Sequence, residues 1–120
     1  MSVTQFLHAS LLITDLSTAR HFYETLLGLA PAERNLSFPG LWYQVGPVQI
    51  HLIAADQMMG DRVNDQKWGR NRHLAFAVMD LEAIRRRLED AGYPIQLSSS
   101  GRPALFVADP DGNLIELAQS

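Results

Sequence analysis

Four polar residues interrupt otherwise apolar, strand-like segments of this chain: His8, His51, His73 and Glu116. Their spacing repeats, because 65 residues separate His8 from His73 and also separate His51 from Glu116. Imidazole nitrogens combined with a carboxylate oxygen suit a divalent metal of borderline hardness, namely Zn, Ni, Co, Fe(II) or Mn. A carboxylate in an apolar strand also needs compensation by a cation, a hydrogen-bond partner or a proton. The four residues therefore form a candidate metal site.

The spacing repeats because the chain carries one pattern twice. The segment LHASLLITDL (7–16) aligns with RHLAFAVMDL (72–81), and VQIHLIA (48–54) aligns with NLIELAQ (113–119). Internal repetition at a fixed offset is typical of duplicated supersecondary units. Length favours a single domain, and we divide it as follows: repeat one at about 4–55, a connecting segment at about 56–70 and repeat two at about 71–119, within residues 1–120.

Each repeat is predicted to be a βαβββ unit, so the fold class is α+β with mixed sheets. Asp15 and Asp80 follow the first strand of each repeat and are predicted N-caps of the helices that come next. The first helix is expected to end at Gly28 and the second at Gly92. Turn residues and apolar runs predict the later strands at 31–34, 41–45 and 48–54, and then at 95–97, 104–108 and 113–118.

Alternation along the strands predicts that all four polar residues lie on the sheet face away from the helices. If the two sheets curl towards one another, that face becomes a cleft in which three imidazoles and a carboxylate converge. Simpler interpretations stay open for each residue alone. A lone histidine on a half-buried strand is commonly a hydrogen-bonded core residue, and Glu116 has Arg102 or Arg72 as a candidate ion-pair partner. His21 has no counterpart in the other repeat and is left out of the site.

Composition excludes several classes of function. The formal net charge of −3 gives no electrostatic basis for binding nucleic acid or an anionic membrane. The sequence contains no run of about 18 apolar residues, so no transmembrane helix is predicted. The chain contains no cysteine, so disulfides and thiolate chemistry are excluded and a cytoplasmic location is expected.

The sequence resembles the vicinal oxygen chelate superfamily, which includes glyoxalase I, extradiol dioxygenases, fosfomycin-resistance thiol transferases and bleomycin-resistance proteins. The resemblance covers nearly the whole chain and is most specific in DLSTARHFYETLLGL after His8, in RHLAFAV and in DPDGNLIEL. It implies paired βαβββ units that form an open cup around a divalent metal. The implied ligands are His8, His51, His73 and Glu116. It also implies a homodimer, because a second chain usually completes the cup in members of this length.

Departures from the family pattern narrow the expected chemistry. The Arg and Asn with which glyoxalase I helps to hold glutathione correspond to Leu12 and Ala55 here, which argues against glutathione-dependent chemistry. The Tyr that contacts the drug in fosfomycin enzymes corresponds to Phe106, which has no hydroxyl. Bleomycin-binding members sequester their ligand without a metal, so the complete ligand set argues against that role.

The number of ligands favours proton transfer over oxygenation. Extradiol dioxygenases bind Fe(II) through two His and one Glu, which leaves three positions for a catecholate and O2. If His51 also binds, only two adjacent positions remain, and these suit a substrate with two neighbouring oxygens. We therefore expect a metal-dependent, glyoxalase-like isomerase or lyase acting on a small hydroxy-ketone or 2-oxo acid, with Glu116 as general base. The alternatives are an Fe(II) ring-cleaving dioxygenase, in which His51 is not a ligand, and a non-catalytic protein that sequesters a small molecule.

Overall fold

The structure is a computed structural model that describes residues 2–120. The chain divides into two compact units, one ending at Met58 and the other covering Met59–Ser120. This division falls inside the connecting segment predicted at 56–70. Each unit contains one four-stranded mixed sheet and one main helical segment, so the α+β class and the βαβββ organisation are confirmed. The expectation of a single domain stays a prediction, and so does the homodimer.

The sheet of unit 1 has the strand order β1-β4-β3-β2. Its strands are β1 (His8–Ile13), β2 (Ala30–Pro31), β3 (Gly40–Val45) and β4 (Val48–Ala54). The outer strand β1 runs parallel to β4, whereas β4 with β3 and β3 with β2 are antiparallel. A parallel pair requires a crossover connection, which the first helical segment supplies together with β2 and β3.

The first helical segment is α-helical only in its first half. Helix α1 (Leu16–Arg20) begins at Asp15, whose side chain accepts a hydrogen bond of 2.9 Å from the Thr18 N–H. The chain continues as a π-helix (His21–Leu26), in which the hydrogen-bonded turns are wider. The segment ends as predicted at Gly28, which adopts a φ of 81° that a side chain would disfavour.

Unit 2 repeats this layout with the strand order β5-β8-β7-β6. Its strands are β5 (Leu74–Val78), β6 (Ile95–Leu97), β7 (Ala104–Ala108) and β8 (Leu114–Gln119). A 3-10 turn (Trp68–Arg70) precedes β5, and helix α2 (Leu81–Asp90) follows β5. Asp80 is the N-cap of α2 as predicted, and its side chain accepts a hydrogen bond of 3.1 Å from the Ala83 N–H.

The duplication extends to the register of the strands. Ala9 pairs with Ile50 in unit 1, and Leu74 pairs with Ile115 in unit 2, so the same 65-residue offset relates both partners. In both units the crossover helical segment buries apolar side chains against the sheet. The residues with no exposed surface include Phe22, Tyr23, Tyr43 and Leu52 in unit 1 and Leu88, Leu105, Val107 and Ile115 in unit 2.

Predicted strand bounds agree closely except in β2. That strand ends at Pro31, three residues before its predicted end at Arg34. The Arg34 guanidinium instead donates to the backbone carbonyls of Leu36 and Phe38, which folds residues 34–38 into a loop. Within residues 2–120 no helix has the length and apolar character needed to cross a membrane.

Candidate metal centre

In unit 2 the predicted site residues His73 and Glu116 are in direct contact. His73 lies immediately before β5, and Glu116 lies in the neighbouring parallel strand β8. The distance from His73 Nε2 to Glu116 Oε1 is 3.1 Å. Glu116 is only 8% exposed, although it is charged and its neighbours in β8 are apolar. The tertiary structure therefore brings one predicted ligand pair together across two strands.

The second oxygen of Glu116 is bound by an arginine. Arg102 Nη2 donates to Glu116 Oε2 over 3.1 Å. Of the two arginine partners that the sequence allowed, Arg102 is therefore the one used, and Arg72 instead approaches Asp61 at 3.9 Å. Because Arg102 occupies only Oε2, the ion pair leaves Oε1 directed at His73.

The hydrogen bonds of His73 determine which of its nitrogens can bind a ligand. His73 Nδ1 lies 2.8 Å from the carbonyl oxygen of Asn71, which can only accept, so Nδ1 carries the hydrogen. In the neutral ring Nε2 then has an unshared electron pair. That pair faces Glu116 Oε1, which is itself an acceptor, so the contact requires a proton or a cation between the two atoms. A divalent metal fits this donor set, and a backbone carbonyl on the far nitrogen is the usual support of a histidine ligand.

Asn71 anchors this histidine to the connecting segment. Its Oδ1 accepts from the backbone N–H groups of Val63 and Asn64, and its Nδ2 donates to the carbonyls of Asn64 and Trp68. The residue is 9% exposed, so these bonds are largely shielded from water. The connecting segment is thus ordered around one buried amide.

In unit 1 the other two predicted ligands are also neighbours, but they stack. The ring centroids of His8 and His51 lie 4.0 Å apart with an interplanar angle of 16°. Trp42 lies against His51, with a centroid distance of 4.2 Å and an angle of 8°. Because Trp42 pairs with His51 across β3 and β4, the strand register itself produces this stack. Trp42 therefore lies on the same face of the sheet as His51.

A glutamine amide occupies one nitrogen of His51. His51 Nε2 lies 2.8 Å from Gln49 Oε1 and donates to it, since Gln49 Nε2 is itself the donor to Gln44 Oε1 at 2.9 Å. The electron pair of the neutral His51 ring then belongs to Nδ1. Burial lowers the pKa of His51 below its usual value of 6.5, and the nearby His8 and Arg34 lower it further. The ring is therefore kept neutral, as a metal ligand must be.

Stacked rings do not direct their electron pairs at one point, so one imidazole must tilt before both bind a single ion. Among the described residues, neither unit by itself brings three His, Asp or Glu side chains into a metal-binding group. The structure therefore contains two candidate half-sites: His8 with His51, and His73 with Glu116. The meeting of all four at one ion stays a prediction. His21 is exposed on the π-helix, in agreement with its exclusion.

Two aromatic residues occupy related positions beside the half-sites. Phe106 pairs with Glu116 across β7 and β8 just as Trp42 pairs with His51. The contacts differ, because the Phe106 ring meets His73 edge to face at a centroid distance of 5.4 Å. Tyr43, the residue after Trp42, lies on the opposite face of β3 and is fully buried.

Two residues of the half-sites were missed from the sequence. Gln49 lies two residues before His51 and therefore shares its face of β4, a signal that the sequence contained. Asn71 lies two residues before His73 but outside any strand, and nothing in the sequence distinguished it from the polar residues of the connecting segment that precedes it.

Known proteins are similar to this chain in sequence and in fold. A curated relative from Arabidopsis thaliana, "Glyoxylase I 4", is 27% identical over 98% of this chain and 71% of its own length. A glyoxalase family protein from Enterococcus faecalis is 23% identical, with a TM-score of 0.71 over 98% of both chains. A genomically encoded fosfomycin resistance protein from Listeria monocytogenes is 17% identical, with a TM-score of 0.74 over 98% of this chain and 94% of that chain.

These two solved structures establish the fold. The model of the Glyoxalase/Bleomycin resistance protein/Dioxygenase superfamily matches residues 5–117, which include both half-sites and every strand up to most of β8. With the repeated βαβββ units and this match over nearly the whole sequence, the chain belongs to the Glyoxalase/Bleomycin resistance protein/Dioxygenase superfamily.

Proposed function

We propose that this protein is a metal-dependent enzyme that binds a small substrate through two neighbouring oxygens and moves a proton on it. The observation that carries the proposal is the contact of His73 Nε2 with Glu116 Oε1, where a nitrogen and a carboxylate oxygen 3.1 Å apart need a proton or a cation between them. The glyoxalase name of the Arabidopsis relative supports chemistry of the isomerase or lyase type. Hydroxy-ketones and 2-oxo acids are the substrate classes that present two such oxygens.

Each residue has a distinct role in this proposal. His8, His51, His73 and Glu116 would hold the divalent ion, for which Zn, Ni, Co, Fe and Mn are the candidates. When bound, that ion would supply Lewis-acid polarisation of the substrate oxygens. Glu116 would release the ion when the substrate binds, and its Oε1 would then accept the substrate proton as general base, since Glu116 is the one carboxylate among the four proposed ligands. Arg102 would keep Oε2 in place while Oε1 reacts.

We also propose that two chains form a homodimer in which each metal site takes its four ligands from half-sites of different chains. Large apolar side chains near β1 support a partner surface, since Phe6 is 63% exposed, Leu7 62% and Leu12 43%. Isolated exposed apolar residues are common, and these three support an interface because all of them lie on or directly before the outer strand β1.

Substitution of Glu116 tests the catalytic role. The Glu116→Gln protein is expected to bind some metal through the three histidines and to lose turnover at least about a hundredfold, because an amide cannot accept the proton. Metal content would be measured by elemental analysis after incubation with each candidate ion, and turnover with a panel of hydroxy-ketones and 2-oxo acids. Glu89→Gln, which removes an exposed carboxylate of α2, is the matched control. Full turnover in Glu116→Gln would refute the general-base role.

A second function is favoured by one observation, the engagement of His51 with Gln49 and its stacking on His8 and Trp42. If His51 keeps those contacts, the remaining ligands are two histidines and one glutamate, the set used by Fe(II) ring-cleaving dioxygenases. Oxygen consumption with catechols after anaerobic Fe(II) loading separates the two functions. Uptake of O2 coupled to ring cleavage, retained in His51→Phe, would establish the dioxygenase and exclude the proton-transfer enzyme.

A further inference from the structure

Unit 2 contains a cavity of about 460 Å³ next to the His73–Glu116 half-site. Its walls come from the 3-10 turn and the residues before it, from β6 with the loop that follows, and from Phe106 of β7. The volume lies within the range of small-molecule sites, about 300–1,000 Å³.

All charged side chains that line the cavity are basic. Lys67, Arg70 and Arg102 line it, and no aspartate or glutamate does. Arg102 is paired with Glu116. Lys67 and Arg70, however, have no carboxylate within ion-pair distance among residues 2–120. Two positive charges on this wall are thus left without a counter-charge.

Hydroxyl groups complete the polar side of the wall. Ser98 Oγ and Ser100 Oγ lie 2.9 Å apart, and Ser100 Oγ also accepts from Arg102 Nε over 3.1 Å. One hydroxyl hydrogen suffices for the bond between the two serines, so the other is available to a bound acceptor. Guanidinium, ammonium and hydroxyl donors in one wall are the groups with which proteins bind oxyanions.

The cavity walls are tied together by specific contacts. Gln96 of β6 accepts from the Trp68 N–H and donates to the Gln66 carbonyl, each over 2.9 Å, which joins the turn to the sheet. The Phe106 ring lies directly against Gly69. A Cβ atom added at Gly69 would lie 2.6 Å from the Cζ atom of Phe106. The cavity is therefore a built feature of unit 2.

Two wall residues also belong to the half-site. Arg102 binds Glu116 at 3.1 Å, and Phe106 meets His73 at a ring-centroid distance of 5.4 Å. A molecule in the cavity would touch both residues and would present its other end to His73 and Glu116. Anion binding and the proposed chemistry would then act on one substrate.

We propose that this cavity binds a doubly charged oxyanion group of the phosphate-ester class, which anchors the substrate beside the metal half-site. Two unpaired cations favour a ligand with two negative charges over a single carboxylate, which would compensate only one of them. The anchoring of a substrate rests on the proposed function, whereas the binding of the oxyanion does not, because it uses the cations and hydroxyls of the cavity wall and needs no metal.

Calorimetric titration of the full chain with inorganic phosphate, after dialysis against a chelator, tests this binding. Phosphate is expected to bind at least about tenfold more tightly than acetate at equal ionic strength. Lys67→Ala and Arg70→Gln should each weaken phosphate binding about tenfold, the effect of losing one charge-assisted contact. Arg86→Gln removes an exposed cation from α2 and should leave it unchanged. Circular dichroism would verify the fold of each variant, and Lys67 and Arg70 are both exposed.

The outcomes separate this inference from the proposed function. No measurable phosphate binding, equal binding by all four proteins, or acetate binding as tight as phosphate would overturn it. Metal uptake by His73 and Glu116 is measured independently of these titrations. Loss of metal binding with phosphate binding intact would refute the proposed function alone, and the reverse result would refute the oxyanion site alone.

Discussion

His73 can present one nitrogen to Glu116 because its other nitrogen is fixed by a single backbone carbonyl, that of Asn71. The Asn71 side chain in turn holds the backbone of the connecting segment in place. At the scale of single residues, the half-site therefore depends on the buried side-chain amide of Asn71. That amide forms no hydrogen bond with a proposed ligand and acts by holding the backbone. Buried amides of this kind stabilise a structure mainly because the groups they satisfy would otherwise lack partners.

Asn71→Ala tests this dependence. Removal of four hydrogen bonds at a buried position is expected to lower the free energy of unfolding by about 2–3 kcal/mol. Urea denaturation followed by circular dichroism measures the change. Asn35→Ala is the matched control, because Asn35 is exposed and forms no side-chain hydrogen bond among the described residues. Equal stability of the two variants would show that the amide does not organise this segment.

At the scale of elements, the π-helix is joined to β3 by a part-buried polar contact. Tyr43 of β3 donates its hydroxyl hydrogen to Glu24 Oε2 over 2.9 Å. Burial raises the pKa of the Tyr43 hydroxyl well above its usual value of 10.0, and the Glu24 carboxylate raises it further. The wide turn of the π-helix accommodates Glu24 beside Tyr43 while Phe22, Tyr23 and Leu26 stay in the core.

This contact predicts a pH dependence of stability. The folded state holds the Tyr43 proton more tightly than the unfolded state. The protonated hydroxyl therefore contributes its full stabilisation below pH 10, and this stabilisation is lost as the pH rises above 10. Tyr43→Phe should cost about 1 kcal/mol at pH 7 and should reduce the loss of stability above pH 10. Denaturation at pH 7 and pH 10.5 measures both. A double-mutant cycle with Glu24→Gln isolates the pair, and an unchanged alkaline profile in Tyr43→Phe would contradict the assignment.

The junction of β3 and β4 depends on the absence of a side chain at Gly40. A Cβ at this residue would collide with the backbone carbonyl of Leu52, which cannot move without disturbing the ladder. Gly40→Ala is therefore expected to lower the free energy of unfolding by about 2 kcal/mol or more. Gly60→Ala is the control, because no atom lies within 4 Å of the added carbon there. Thermal and urea denaturation of both variants provides the comparison, and equal stabilities would refute the steric argument.

At the scale of the whole molecule, the duplicated sequence supplies two proposed ligands from each unit, and the proposed homodimer combines half-sites of different chains. This arrangement makes a specific prediction about mixtures. A chain with His8→Ala and His51→Ala keeps an intact second half-site, and a chain with His73→Ala and Glu116→Gln keeps an intact first half-site. A dimer of one chain of each kind would contain one complete set of four ligands.

We expect that neither double variant binds a metal ion tightly on its own. When the two variants are refolded together, each heterodimer should bind one ion, which is half an ion per chain. Elemental analysis after gel filtration measures the metal, and refolded samples of each variant alone are the controls. A mixture that remains metal-free while the unsubstituted protein binds one ion per chain would exclude sites shared between chains.

The sequence alone determined the elements that follow from local chemistry. Strands were predictable from alternating apolar residues, helix starts from the caps Asp15 and Asp80, and one helix end from Gly28. Each of these signals affects only the few residues next to it in the chain. The 65-residue repeat also fixed which residues correspond, because duplicated segments adopt the same strand register.

Only the tertiary structure decided which side chains meet. The pairing of Glu116 with Arg102, the stack of Trp42 on His51 and the cavity beside Phe106 join residues of different strands and loops. Such contacts depend on register, rotamer and the path of loops, which local patterns do not encode. The sequence therefore named the four candidate ligands, whereas the fold assigned their partners, because hydrogen bonding and packing between distant segments are settled only when those segments come together.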